Sequence, residues 1–208
     1  MDEMAKVLAL GQQSIAEVLA KDANQDPRTT WGEAKLSHGV LVSRGVVAGN
    51  AWNCIKATAT IGCAAEVLAA KLADADAMST FDEMTDNCRV LRDLGATSIR
   101  YVQAKPVFPT TARDFLVVTC KQVVDDAIVI GTKSIELPSM PENPSFVRAH
   151  THISGYILRP ITATSCKVTL IVHMDLGGHM PPAVINLLSS ASPVKLLNHF
   201  QHLYGHAV

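Results

Sequence analysis

From Cys88 to Asp175 the chain is a succession of strand-like runs, and nothing else in it constrains the fold as much. Cys88–Leu94, Thr97–Lys105, Arg113–Val124, Ala127–Ile135, Phe146–Leu158 and Cys166–Asp175 are rich in apolar and β-branched residues and bounded by Gly, Pro and Asp. Two earlier runs, Lys35–Val47 and Trp52–Ile61, read as strands joined by a hairpin at Ala48-Gly49-Asn50. Consecutive hairpins of this kind build an antiparallel sheet. The clearest strand turns Cys166, Val168, Leu170, Val172 and Met174 one way and Lys167, Thr169, His173 and Asp175 the other. That alternation predicts one dry face and one wet face.

Helices flank the strands. Met4, Val7, Leu8, Ile15, Val18 and Leu19 recur at helical spacing, which predicts a helix over about residues 3–21, ended by Asn24-Gln25-Asp26-Pro27. Ala64 to Ala77 reads as a second helix. A third begins at Pro181 or Pro182, where a prolyl ring suits the first turn, and runs toward Tyr204. Its Val184, Leu187, Leu188, Ala191, Leu196, Phe200 and Leu203 can form one apolar stripe. Ser192-Pro193 interrupts the stripe, either as a kink and possible hinge or as the start of a second segment. The expected fold is α+β, one domain over residues 1–208, with an antiparallel sheet whose dry face is covered by the C-terminal helix.

Composition narrows the function. Apolar residues make up 48% of the 208 and charged residues 18%. That balance suits a protein lining an internal cavity, and a slightly oily globule equally. A net charge of −1 supplies no field for nucleic acid. From Val147 onward, however, the only acid is Asp175, against Arg148, Arg159, Lys167, Lys195 and most of the histidines. This favours contact with anionic membrane surfaces, at about 1 kcal/mol per charge. Cysteines 54, 63, 88, 120 and 166 show no CxxC spacing, as expected of reduced thiols in a cytoplasmic protein rather than a zinc site. There is no signal-peptide pattern and no apolar run of spanning length, so membrane contact is expected to be peripheral and reversible.

No nucleophile elbow, P-loop or dinucleotide fingerprint is present, and neither catalytic residues nor a cofactor are expected. His199, His202 and His206 have helical spacing without acid or sulfur nearby, which reads as a solvated face and not a metal site. His150 and His152 fall on the wet side of their strand, opposite Ala149, Thr151 and Ile153. A bulge at Ser154-Gly155 would turn Tyr156 inward.

Several spaced signatures carry a family resemblance over roughly Phe81 to the C-terminus. They are Phe81-Asp82, Phe108-Pro109 with Arg113-Asp114-Phe115, the proline-rich Ser134–Pro144, Val147-Arg148-Ala149 with Ser154-Gly155-Tyr156-Ile157, and Asp175–Pro181 followed by Val184-Ile185-Asn186. In order and spacing they resemble the steroidogenic-acute-regulatory-related lipid-transfer (START) domain. The resemblance implies a helix-grip fold, a curved antiparallel sheet wrapped around a long C-terminal helix with an internal lipid tunnel. It further implies that one lipid is carried between membranes, that Ser134–Pro144 lies over the tunnel mouth, and that the C-terminal helix and the 134–146 loop open at a membrane.

The same resemblance suggests a lipid site at Asp82, Tyr101, Phe115, Thr119, Arg148, Thr151, Tyr156, Leu170, Val172, Met174, Val184, Leu188, Leu196 and Phe200. The sterol-binding branch places an acid–arginine pair where this chain has Ile99 or Arg100 and Thr119, so neither half is present. The phosphatidylcholine-binding branch uses aromatics that align with Tyr101 and Phe115, and an arginine whose place is taken by Met78. Arg100 or Arg148 can replace that cation if either points inward. The expected ligand is a phospholipid or a sterol. Two other readings stand beside the carrier. One is an enzyme of the polyketide cyclase or aromatase type, using Arg148, Tyr156 and His173, and the other is a lipid-sensing regulatory domain.

Overall fold

In a computed structural model the protein is described over residues 2–106, 110–178 and 182–205, by backbone only from 182 to 190. α1 (Glu3–Asp22) precedes β1 (Thr29–Trp31), β2 (Lys35–Ser37), β3 (Val40–Val47) and β4 (Cys54–Ile61). α2 (Ala65–Ala73) and α3 (Met78–Phe81) lead to β5 (Thr85–Leu94), β6 (Thr97–Ala104), β7 (Arg113–Val124) and β8 (Ala127–Ser134). β9 (Val147–Arg148), β10 (His150–Thr162), β11 (Ser165–Asp175) and α4 (Pro182–Tyr204) complete the chain. The strands form one sheet in the order β1-β3-β4-β11-β10-β8-β7-β6-β5, with β2 on β3 and β9 on β7. Of these pairings, only the short β9–β7 contact is parallel.

The expected run Lys35–Val47 is two strands, because His38 and Gly39 take φ of 50° and 80° and close a two-residue turn between Ser37 and Val40. The expected helix Ala64–Ala77 breaks at Asp74, which is extended at ψ 116° and accepts the Asp76 backbone N–H on its own carboxylate. α4 passes through Pro193 without ending.

The inner face of the sheet packs Ala57, Ile61, Val168 and Leu170 against Leu68 of α2, Phe81 of α3 and Leu197 and Phe200 of α4. The outer face is covered as well, contrary to the expectation of a wet side. Ile15 and Val18 of α1 bury Cys54, Val129, Ile153, Ile157 and Ile171. Thr169 and His173 are accordingly 2% and 4% exposed, while Lys167 remains in solvent.

α1 approaches this closely because the sheet beneath it lacks side chains. Gly131 and Gly155 face each other across β8 and β10. A Cβ on Gly131 would sit 2.5 Å from Ser14 Oγ, and one on Gly155 2.6 Å from Val18 Cγ2. The buried stripe of α1 therefore runs through Val7, Gly11, Ser14, Ile15, Val18 and Lys21, not through Leu8. Ion pairs from Glu17 to Lys133 (2.7 Å) and Asp22 to Arg159 (2.6 Å) fix its rotation. Lys56 donates to the Asp22 carbonyl (3.0 Å), satisfying an orphan acceptor at the helix end.

The loop after β8 also lies on this outer side. Ile135, Leu137 and Met140 pack beside Val7, Ile99, Leu116 and Val118, so the segment does not roof the inner face as expected. Among the described residues, no helix is long and apolar enough to cross a membrane.

Candidate functional site

Between the inner face and α4 lies a cavity of about 260 Å³, just below the roughly 300–1,000 Å³ typical of small-molecule pockets. Its floor is built by alternation. Leu170, Val172 and Met174 come from β11, Phe115, Val117 and Thr119 from β7, and Arg100 and Val102 from β6. Ser192, Pro193 and Leu196 of α4 close the other side. Of the residues expected to form the site, Asp82, Phe115, Thr119, Thr151, Tyr156, Leu170, Val172, Met174 and Leu196 line this space.

Tyr156 arrives by a bulge placed differently from the expected one. The β10–β11 register slips between Thr151 and Ile153, so His152 is the extra residue, while Ser154, Gly155 and Tyr156 pair regularly. Before the slip Thr151 faces the cavity. After it Ser154 and Tyr156 do, and Ile153 turns to the core under α1. Ile153 therefore does not share a face with Thr151, as strict alternation would have it.

Three expected residues do not line the cavity. Tyr101 is on the opposite face of β6 from Arg100 and Val102, and its hydroxyl donates to Asp114 (2.9 Å). It does not meet Phe115 in a cage. Arg148 does not point inward either, because its guanidinium is spent on Asp114 through two bonds of 2.9 Å. Phe200 packs in the core on Phe81, ring centroids 5.6 Å apart. The side chains of Val184 and Leu188 lie outside the described residues, as do Phe108, Pro109, His179, Met180 and Pro181.

Polar side chains interrupt the apolar lining, among them Asp82, Arg100, Lys105, Arg113, Thr119 and Thr132. Asp82 accepts from Thr85 Oγ1 (2.9 Å) and the Met84 N–H (3.1 Å), and burial raises its pKa. Burial and then the Asp82 charge likewise raise that of the Tyr156 phenol. Thr119 and Thr132 hydroxyls lie 3.0 Å apart. Arg100 donates to Ser98 Oγ (2.9 Å) and the Ala73 carbonyl (2.6 Å), and burial lowers its pKa. Met78 lines the wall at the place expected for a cation in one branch of the resembling family. Sequence reasoning missed Thr132 and Ser154, although both are hydroxyls at inward positions of their strands.

The histidines divide. His173 is buried, stacks on His152 at 4.5 Å between centroids, and leaves its Nε2 without a hydrogen-bond partner among the described residues. His202 is exposed, whereas the Nε2 of His199 is buried, so the expected solvated face is only partly so. No metal-ligating cluster occurs among the described residues. Arg148, Tyr156 and His173 do not converge. One pairs with Asp114, one lines the cavity, and one lies on the outer face.

The family model described as START domain matches residues 43–207. Human StAR-related lipid transfer protein 5 superimposes with a TM-score of 0.81 at 17% identity, covering 95% of this chain and 96% of that one, a likeness that establishes the fold. Steroidogenic acute regulatory protein of Xenopus laevis is 29% identical over 92 residues, 43% of this chain and 32% of that protein. Acetyl-coenzyme A thioesterase of Rattus norvegicus is 23% identical over 125 residues, 58% of this chain and 22% of that protein. The chain thus spans about a third or less of the length of these two curated relatives.

Proposed function

The chain belongs to the START domain family, and from that premise we propose that it binds one lipid, a phospholipid or a sterol, in its internal cavity and carries it between membranes. The observation that carries this reading is the largely apolar cavity between α4 and the inner face of the sheet, inside the segment the family model matches. Each methylene taken out of water contributes about 0.8 kcal/mol, so an acyl chain or ring system is held there by burial alone. α4 is the lid, and its displacement at a membrane surface admits the lipid. The 134–146 loop, packed beside α1, offers a second membrane contact away from the cavity.

Residues 1–208 act as one unit in this reading, supported by the packing of α1 on the sheet although it precedes the matched segment. Five buried free thiols support a reducing, cytoplasmic setting. The cavity binds and does not catalyse, a view supported by the separation of Arg148, Tyr156 and His173.

Native mass spectrometry of the purified protein, with extraction of whatever is bound, tests the proposal. A one-to-one lipid adduct is expected. A protein that is empty and takes up nothing from mixed liposomes would overturn it, and turnover of acetyl-coenzyme A would point to an enzyme of a different kind from the cyclase or aromatase expected as the alternative.

A further inference from the structure

Four hydroxyls of the inner face stand in one row across the sheet. Register pairs Ser98 with Thr119, Thr119 with Thr132, and Thr132 with Ser154, so β6, β7, β8 and β10 each present one at the same level. Thr119, Thr132 and Ser154 line the cavity.

Arg100 stands beside this row, two residues from Ser98 along β6. Its Nε donates to Ser98 Oγ at 2.9 Å and its Nη2 to the Ala73 carbonyl at 2.6 Å. A guanidinium has five N–H donors, and the remaining ones have no partner among the described residues. No carboxylate pairs with it. Asp74 and Asp93 act on it only through longer-range attraction. The carboxylate that lines the same cavity, Asp82, accepts from Thr85 Oγ1 and the Met84 N–H and not from Arg100. A half-buried cation that no carboxylate contacts is unfavourable, and an anionic group on the ligand is the nearest remedy. The fixed planar fork of arginine suits two oxygens of one group, and the neighbouring hydroxyls can donate to the same oxygens.

We propose that Arg100 and the Thr119–Thr132–Ser154 row form a headgroup subsite for a lipid bearing an anionic oxygen group, phosphate or carboxylate. The subsite rests on the lipid-carrier reading and narrows its ligand. The hydrocarbon part of the lipid then lies along Val172 and Leu170, beneath Leu196. A sterol hydroxyl brings no charge to offset Arg100, and a zwitterionic headgroup brings its own cation.

The test uses the whole chain and vesicles of phosphatidylcholine containing equal amounts of phosphatidate, oleate and cholesterol, followed by native mass spectrometry of the recovered protein. Phosphatidate or oleate is expected to be enriched over phosphatidylcholine and cholesterol, and which of the two dominates tells phosphate from carboxylate. Arg100→Gln should lower the ratio of anionic to neutral adducts about tenfold or more, the effect of losing a charge-assisted contact, while Arg100→Lys keeps part of it. Should Arg100→Gln fail to fold, the pair Thr119→Val and Thr132→Val carries the same test, with a smaller fall in that ratio expected. Preference of the wild type for cholesterol or phosphatidylcholine would overturn the subsite and leave the carrier reading standing. So would an unchanged ratio in Arg100→Gln. Uptake of no lipid at all would overturn both.

Discussion

Arg148 closes on Asp114 in a two-pronged contact, Nε to Oδ1 and Nη2 to Oδ2, each 2.9 Å, with the Asp114 carboxylate wholly buried. Tyr101 donates to the same carboxylate from the neighbouring strand. The hydrogen bonds that Arg148 donates to Asp114 raise its pKa despite partial burial, so the arginine keeps its charge at any physiological pH. Two residues that looked like lipid ligands are thus parts of one structural network, which ties β9 to β7 behind the cavity wall.

Replacing Arg148 with Met should therefore destabilise the fold. Among the described residues it leaves the buried Asp114 charge with Tyr101 as its only side-chain partner, and removing one member of a buried pair costs about 3–5 kcal/mol. Urea unfolding at neutral pH measures this. Lipid loading per folded molecule should not change, and a selective loss of loading without loss of stability would return Arg148 to the binding site.

The glycine seam under α1 makes a second expectation. Gly131→Val puts a branched side chain where Ser14 and the Ile15 backbone of α1 already sit, and overpacking of this kind costs about 1–3 kcal/mol. Hydrogen exchange should show α1 amides losing protection before those of β10 and β11. Uniform protection in the variant would mean that α1 accommodates the change.

Stability should fall on mild acidification. His173 is held near a pKa of about 4 by burial and, less strongly, by His152, against 6.5 in the unfolded chain. The native state therefore keeps His173 neutral while the unfolded chain takes up a proton. Its contribution is complete above about pH 6.5 and is lost as pH falls toward 4, by on the order of 3 kcal/mol. His152, also lowered by burial and by His150, acts in the same direction. Thermal midpoints across this window should slope less in His173→Leu than in the wild type. Equal slopes would place the proton uptake elsewhere.

Leu196 lies on the cavity side of α4. Leu196→Asp sets a charge against that apolar space, and lipid retention should be abolished with the far-UV circular dichroism unchanged. Retention in this variant would show that bound lipid does not reach the lid at this turn.

The sheet was legible because hydrophobic alternation survives in single strands, as in Val168, Leu170, Val172 and Met174. α4 was legible from its prolyl start and apolar stripe, and most of the inward residues followed from these two elements and the family resemblance. Other features left no periodic trace. β1 is too short to alternate. The outer face of β11 read as wet because Thr169 and His173 are polar, yet both are buried. The buried stripe of α1 includes Gly11 and Ser14, residues that no apolar count selects.

By itself, the amino-acid sequence determined where most of the long strands and the two terminal helices run, the dry side of the clearest strand, and the family, because these depend on local spacing and ordered signatures. Only the tertiary structure decided that α1 seals the outer face, that His152 is the bulged residue, that Arg148 belongs to Asp114, and that Arg100 faces the cavity. Each of these depends on which neighbour occupies the space across from a side chain, and that is set by strand register and by the absence of side chains at Gly131 and Gly155.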